Sequence, residues 1–225
     1  RSNQLKPALL ERFVDTNQTS LETELIGTFV ENYNRTEELE QYLRCLNPIS
    51  TQEEIASVNN RINFNDAYMM KRFLFDFWNK RTSENPEKAW LNYLTEVEKV
   101  NSNYGTTFRK GYDTDRGRVY LQYGAPNTIT PKYFEPNAMP YEIWHYYKLE
   151  DHLNAAQSNV KFIFANTNSS NNEFLLLHSD AKNEIKNYNW NYALHKRNSP
   201  SFDIDQNNET QNFGTQSKEL FQNPY

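Results

Sequence analysis

The sequence changes character at residues 111–126, which read Gly111-Tyr112-Asp113-Thr114-Asp115-Arg116-Gly117-Arg118-Val119-Tyr120-Leu121-Gln122-Tyr123-Gly124-Ala125-Pro126. Four of the six glycines fall between residues 105 and 124, and four of the nine prolines follow between residues 126 and 140. Glycine permits and proline imposes backbone conformations that other residues avoid. We interpret this stretch as the point where a helical part of the chain gives way to a sheet.

The composition excludes several classes of protein. The chain has 225 residues, enough for one large domain or two small ones, and its apolar runs are far too short to span a bilayer. A net charge of -5 without a cluster of Lys and Arg argues against a nucleic-acid partner. The single cysteine, Cys45, excludes a disulfide framework and a cysteine-rich zinc site. We expect no bound metal and no cofactor.

Residues 1–60 carry the signals of several short helices. These signals are an apolar stripe at residues 9–14, a start at Thr19 that leads into apolar residues 25–30, a start at Thr36, and a capping box formed by Ser50 and Glu53. Each helix is short because polar or helix-breaking residues separate the apolar stripes.

Two longer helices are predicted after residue 60. Aromatic side chains recur every three or four residues across residues 65–82, which is typical of an amphipathic helix. Asn85 then provides a cap and Pro86 a first helical residue for a helix that reaches Tyr104.

Alternating apolar residues predict an antiparallel sheet after Gly105. The predicted strands cover residues 118–123, 141–147, 159–165 and 173–178, with a proline-rich loop at residues 124–140. Helices followed by strands that no helix separates are typical of the α+β class. We therefore predict N-terminal helices packed on a small antiparallel sheet of about four strands.

We divide the chain into three parts. A helical N-terminal segment covers residues 1–60, and an α+β domain covers residues 61–197. Residues 198–225 form a polar C-terminal tail, rich in Asn and Gln, which we expect to be ordered only if it docks on the rest of the protein.

The start of the quoted stretch combines turn formers, two carboxylates and two guanidinium groups. Asp113 and Asp115 resemble the beginning of a calcium loop, but Gly117 stands where an oxygen ligand is required. A phosphate loop needs Gly-Lys-Ser/Thr at the start of a helix, whereas a strand is predicted here. Arg116 and Arg118 can grip a carboxylate. We favour a structural turn in which Thr and Asp side chains cap backbone amides and Asp115 pairs with an arginine.

Asp115, His145 and His178 resemble parts of a Ser–His–Asp site, because a serine follows His178. Asp113 and Glu142 are further carboxylate candidates. The chain has no Gly-x-Ser-x-Gly elbow, and no HExxH motif or close histidine pair indicates zinc. We favour half-buried, hydrogen-bonded strand histidines over catalytic ones.

Aromatic side chains flank the proline-rich loop: Tyr133 and Phe134 lie on it, and Tyr141 and Trp144 lie on the strand that follows. A rigid loop that presents aromatic rings can serve as a binding edge. The alternative is that these rings pack on the core. The sequence leaves both interpretations open.

Three motifs together resemble the GWxTD domain family, which is found largely in Bacteroidota. They are residues 111–120, Tyr-Gly-Ala-Pro-Asn at 123–127 and Tyr-Glu-Ile-Trp-His-Tyr at 141–146. The family motif is Gly-Trp-x-Thr-Asp, then Arg-Gly-Arg and a Tyr-Gly-x-Pro turn. Tyr112 replaces the motif tryptophan, which keeps an aromatic ring and loses the indole N–H. The structural motif residues are Gly111, Tyr112, Thr114, Asp115, Gly117, Gly124 and Pro126.

The resemblance implies a place in the cell envelope, in the periplasm or at the outer membrane. Members of the family are typically exported, often as lipoproteins, with this domain at the C-terminal end. We therefore expect a lipid anchor on a missing N-terminal part. The resemblance supplies no catalytic residues.

We predict a non-enzymatic envelope module that binds another envelope protein or complex, with no nucleic acid and no transmembrane segment. The residues expected in or beside the binding surface or its supporting turn are Arg116, Arg118, Tyr133, Phe134, Tyr141 and Trp144. Two alternatives stay open. One is a hydrolase of cell-wall or glycan material that uses Asp115, His145 and His178, and the other is a binding domain for anionic glycans or peptides that uses the two arginines.

Overall fold

A computed structural model of the protein describes residues 25–82, 84–135, 138–151, 154–167, 172–195 and 216–223. Two compact units divide the chain, Arg1–Thr95 and Glu96–Tyr225. The apolar stripe at residues 9–14 and the helix start at Thr19 lie outside the described residues. The division into three parts at residues 60 and 197 stays a prediction.

The first unit is helical in the part that the structure describes. Its helices are α1 (Thr36–Arg44), a 3-10 turn (Asn47–Ile49), α2 (Gln52–Phe64), α3 (Ala67–Arg81) and the start of α4 (Pro86–Tyr104). Asp66 caps α3, and the Asn85 side chain accepts a hydrogen bond from the Lys88 amide at the start of α4. The two long helices predicted from aromatic spacing and capping residues are thus confirmed.

Two details of the helix prediction are wrong. The capping box of α2 is formed by Thr51 and Glu54, one residue later than Ser50 and Glu53. Residues 25–30 form turns instead of a helix. Gly27 explains the second error, because it adopts a positive φ of 79°, which interrupts a right-handed helix.

The second unit contains a helix where the first strand was predicted. Helix α5 (Asp115–Tyr123) follows a 3-10 turn (Gly111–Asp113) and ends at Gly124, which has a φ of 82°. The prediction of a strand at residues 118–123 is therefore wrong. Helix α5 buries Val119 and Leu121 and half-buries Tyr120 between them. Its sequence therefore alternates like that of a strand and does not separate into one apolar and one polar face.

The four-stranded sheet is an antiparallel meander in the order β1-β2-β3-β4. Its strands are β1 (Thr128–Lys132), β2 (Tyr141–Asp151), β3 (Asn154–Ala165) and β4 (Leu175–Ser179). The α+β class and the number of strands are confirmed. Strand β1 lies inside the region predicted as a loop. Pro131 does not prevent a strand here, because proline is tolerated on an edge strand.

The two faces of the sheet carry different layers. On one face, Trp144, Phe162 and Phe164 pack with Val119 of α5 in one buried cluster. On the other face, Ile143 and Ile163 pack with α6 (Trp190–His195) and α7 (Ser217–Gln222). Most of the predicted tail, residues 198–215, lies outside the described residues, but its last part forms α7 against the sheet. Among the described residues, no helix has the length and apolar character needed to cross a bilayer.

Candidate functional site

The motif at residues 111–118 forms the start of α5. The Thr114 hydroxyl accepts a hydrogen bond from the Gly117 amide at 3.1 Å and donates one to the Gly111 carbonyl at 2.7 Å. Threonine at this position satisfies an amide that the first helical turn leaves unpaired. The predicted cap is confirmed, although it opens a helix and not a strand.

Two motif glycines let three backbone segments meet. A Cβ on Gly117 would lie 1.9 Å from the Gly111 carbonyl oxygen and 2.7 Å from a methyl carbon of Val100. A Cβ on Gly111 would lie 2.1 Å from the Val100 carbonyl oxygen. The end of α4, the 3-10 turn and α5 can therefore approach this closely only without side chains at these positions.

Asp115 is anchored to the sheet and not to an arginine. Its Oδ2 accepts a hydrogen bond from the Leu176 amide at 2.7 Å, on edge strand β4. The predicted pairing of Asp115 with an arginine is wrong, since each neighbouring arginine has another carboxylate partner. Arg118 binds both carboxylate oxygens of Glu184, at 2.7 and 2.8 Å. Burial lowers the pKa of Arg118, but the hydrogen bonds and charge of Glu184, together with the charge of Asp115, outweigh burial and raise it.

Arg116 and Glu142 form a buried ion pair beneath the loop that follows β1. Their side chains are 7% and 5% exposed, and Arg116 Nη1 lies 2.9 Å from Glu142 Oε1. Tyr133 donates its hydroxyl to the same carboxylate at 2.7 Å, and Trp144 donates its indole N–H at 2.9 Å. Three donors from three different elements thus converge on one carboxylate, which fixes the position of the loop that carries Tyr133.

Aromatic rings complete the environment of Arg116. Its guanidinium lies 4.1 Å from the ring centre of Phe174 and 5.0 Å from that of Tyr104, and it donates to the Asn172 carbonyl at 3.3 Å. Arg116 Nε is buried without a hydrogen-bond partner among the described residues. The guanidinium is therefore enclosed, with no open face toward solvent.

The phenols around this pair stay protonated at neutral pH. Burial and the hydrogen bond to Glu142 raise the pKa of Tyr133 to about 12. Burial and the nearby Glu142 charge raise the pKa of Tyr104 to about 12. A protonated Tyr133 hydroxyl is required for it to donate to the carboxylate.

Exposed aromatic side chains lie on the loop after β1 and next to Arg109, in segments that adjoin the partners of this ion pair. Phe134 is 97% exposed and Tyr133 45% exposed, just after the last residue of β1. Phe108 is 87% exposed, and the next residue, Arg109, forms an ion pair with Glu173. Phe174, which follows Glu173, contacts the ring of Tyr133. We call Phe108, Tyr133 and Phe134 the aromatic rim.

The side chains proposed for a hydrolase are not brought together. Asp115 lies at the start of α5, on the face of the sheet opposite to His145 and His178. His145 contacts Asn159 at 2.9 Å, and His178 accepts from the Asn187 amide at 3.0 Å. Burial lowers the pKa of His178, although Asp180 opposes this effect. Each histidine thus has a structural environment of its own.

The six residues predicted for a binding surface or its supporting turn divide into two groups. Tyr133 and Phe134 are exposed, whereas Tyr141 and Trp144 are fully buried. Arg116 and Trp144 bind Glu142, which holds Tyr133, and Tyr141 binds Glu135 at the end of the same loop. Arg118 binds Glu184, away from this loop.

Sequence reasoning missed Tyr104, Phe174 and Glu184 as partners of the two arginines. No spacing rule connects them, because these contacts depend on how α5 sits on the sheet. The sequence marks Glu142 only as a candidate catalytic carboxylate. Among the described residues, no group of three or more His, Cys, Asp or Glu side chains is arranged to hold a metal ion.

The comparisons with known proteins agree with the motifs. A family model, the GWxTD domain, matches residues 12–197 and so covers most of the chain. No curated protein and no solved structure matches the chain significantly.

Proposed function

This chain belongs to the GWxTD domain family, and we propose that it is a non-enzymatic module of the cell envelope that binds another envelope protein through the aromatic rim. The observation that carries the proposal is the exposure of Phe134 on a loop that a buried ion pair holds in place. Aromatic side chains are enriched at protein interfaces, and an exposed ring on a loop that is held in place can serve as such an anchor.

Rigidity below the aromatic rim supports the same function. Binding to a loop that is already ordered costs less conformational entropy. Each ring therefore contributes more to the affinity. Tyr133 connects the buried ion pair with the aromatic rim. Its hydroxyl is bound to Glu142, while its ring is half-exposed next to Phe134 in the sequence. The network therefore fixes the position of the Tyr133 side chain, next in sequence to Phe134.

The two alternatives receive less support from the geometry. An anionic ligand would need a guanidinium with open donors, and both arginines already hold internal carboxylates. A hydrolase built on Asp115, His145 and His178 would need these side chains within hydrogen-bond reach of one another, and they lie on different faces of the sheet.

A periplasmic or outer-membrane location, as a lipoprotein, is part of this proposal and rests on the family. Co-purification from native membranes after mild crosslinking tests the proposal as a whole. We expect a specific envelope protein to be captured. Recovery of the chain alone and monomeric would count against it. Substitutions of Arg116 are unsuited to this test, because the buried pair supports the fold itself.

A further inference from the structure

The first unit contains a cavity of about 320 Å³ that the proposed function does not use. Its described walls come from the turn segment at residues 25–34 and from the first turns of α3. Both segments belong to the first unit. Sites for small molecules start at about 300 Å³, so the cavity has the size of a small-ligand site.

Four of the side chains that line the cavity are apolar or aromatic. Leu25 and Ile26 come from the turn segment, and Ala67 and Tyr68 from α3. Ile26 is 63% exposed. The Tyr68 hydroxyl accepts a hydrogen bond from Arg72 at 3.2 Å, which fixes the ring. A ligand with an apolar side chain would gain free energy by covering this surface.

The cavity is also lined by two charges of opposite sign. The Lys71 ammonium donates to the Glu31 carbonyl at 2.9 Å and to Asn34 Oδ1 at 2.7 Å, and both acceptors are neutral. An ammonium has a third N–H to donate. The Glu31 carboxylate accepts from the Gly27 amide at 2.9 Å through one of its two oxygens. Within the part of the chain that the structure describes, neither charge has an ion-pair partner.

We propose that this cavity binds a free α-amino acid with an apolar side chain. The ligand carboxylate pairs with Lys71, the ligand ammonium pairs with Glu31, and the ligand side chain covers Ile26. A ligand with only a carboxylate would meet the like charge of Glu31, and a ligand with only an ammonium would meet that of Lys71. A zwitterion with an apolar side chain therefore complements all the lining groups.

Titration of the full chain with L-leucine, followed by the backbone amide shifts in NMR spectra, tests this proposal. Two analogues each lack one charge, because 4-methylpentanoate has no ammonium and 3-methylbutylamine has no carboxylate. We expect L-leucine to shift the amides around Lys71 in a saturable manner. It should bind at least about fivefold more tightly than either analogue, the gain that one partly exposed ion pair supplies.

Two variants separate the contributions of the two charges. Glu31→Gln keeps an oxygen for the Gly27 amide and should weaken L-leucine about fivefold without weakening 4-methylpentanoate. Lys71→Met should weaken L-leucine by a similar factor without weakening 3-methylbutylamine. A variant with a damaged cavity would weaken every probe, so this selectivity distinguishes a lost charge from a lost structure. Lys80→Met, an exposed lysine near the end of α3, is the matched control and should bind like the wild type.

Three results would overturn the proposal. One is the absence of saturable shifts with L-leucine, or shifts confined to amides away from the cavity. Another is equal binding of L-leucine and both analogues. The third is an equal effect of Lys71→Met and Lys80→Met. None of these results bears on the envelope partner, because the aromatic rim takes no part in the titration.

Discussion

Arg116 and Glu142 lie 26 positions apart in sequence and form an ion pair at 2.9 Å inside the second unit. One comes from the first turn of α5 and the other from the second residue of β2. Removing two charges from water is costly, and the cost is recovered here by Tyr133, Trp144 and two aromatic rings. The pair therefore specifies how α5 and the loop after β1 sit on the sheet.

Breaking the buried pair should destabilise the protein strongly. Arg116→Met leaves the Glu142 carboxylate buried without its cation, and we expect a loss of about 3–5 kcal/mol in the free energy of unfolding, measured with urea at neutral pH. Arg44→Met is the matched control, since the side chains of its ion pair with Glu40 are 42% and 40% exposed and solvent screens their charges. Its loss should be below about 1 kcal/mol. Similar losses for both variants would contradict the assignment.

The cap of α5 should be measurable in the same way. Thr114→Ala removes both hydrogen bonds of the hydroxyl, to Gly117 and to Gly111, and should cost about 1–2 kcal/mol of unfolding free energy. Thr114→Ser keeps the hydroxyl and should recover most of this loss. If serine and alanine behave alike, the hydroxyl is not the stabilising group.

Stability should fall in mildly acidic solution. Burial lowers the pKa of both His178 and His195 below the ordinary 6.5, against the raising effects of Asp180 and Glu135 respectively. The unfolded chain therefore takes up protons near pH 6.5 while the folded protein does not. The histidines contribute their full stability above that pH and lose it progressively as the pH falls toward their folded values.

Urea unfolding at pH 7.5 and pH 5.5 checks this direction. The wild type should be less stable at the lower pH. A chain with His178→Gln and His195→Gln should show a smaller difference between the two values, because carboxylates titrate mostly below this window. An equal or larger difference in the substituted chain would show that other groups are responsible.

Much of the fold can be predicted from local signals. Aromatic spacing and capping residues indicate α3 and α4, and the aromatic run from Tyr141 indicates β2. These signals work because each element has one buried face or a defined end.

Local signals do not predict helix α5, because neighbouring elements cover more than one of its faces. Val119 lies in the Trp144 cluster, and Tyr120 packs against the same cluster while its hydroxyl donates to Glu96. The residues therefore resemble an alternating strand. Thr114 followed by Asp115 was the available signal, since a cap and an acidic first turn indicate a helix start.

The candidate site depends on contacts that span long distances in sequence. Glu142 receives donors from α5, from the loop after β1 and from its own strand, and only the register of the sheet brings them together. A sequence shows that Arg116 and Glu142 are both present, but neither spacing nor propensity pairs them.

The most direct test of the proposed function is quantitative capture from native membranes with variants of the aromatic rim. Phe108→Ala combined with Phe134→Ala removes two exposed rings, so we expect unfolding free energies within about 0.5 kcal/mol of the wild type. Phe64→Ala is the matched control, an 83% exposed phenylalanine in the first unit. After mild crosslinking, mass spectrometry should find one envelope protein with the wild type and the control, reduced at least about tenfold with the rim variant. Equal capture by all three chains, or a chain recovered alone and monomeric, would contradict the account.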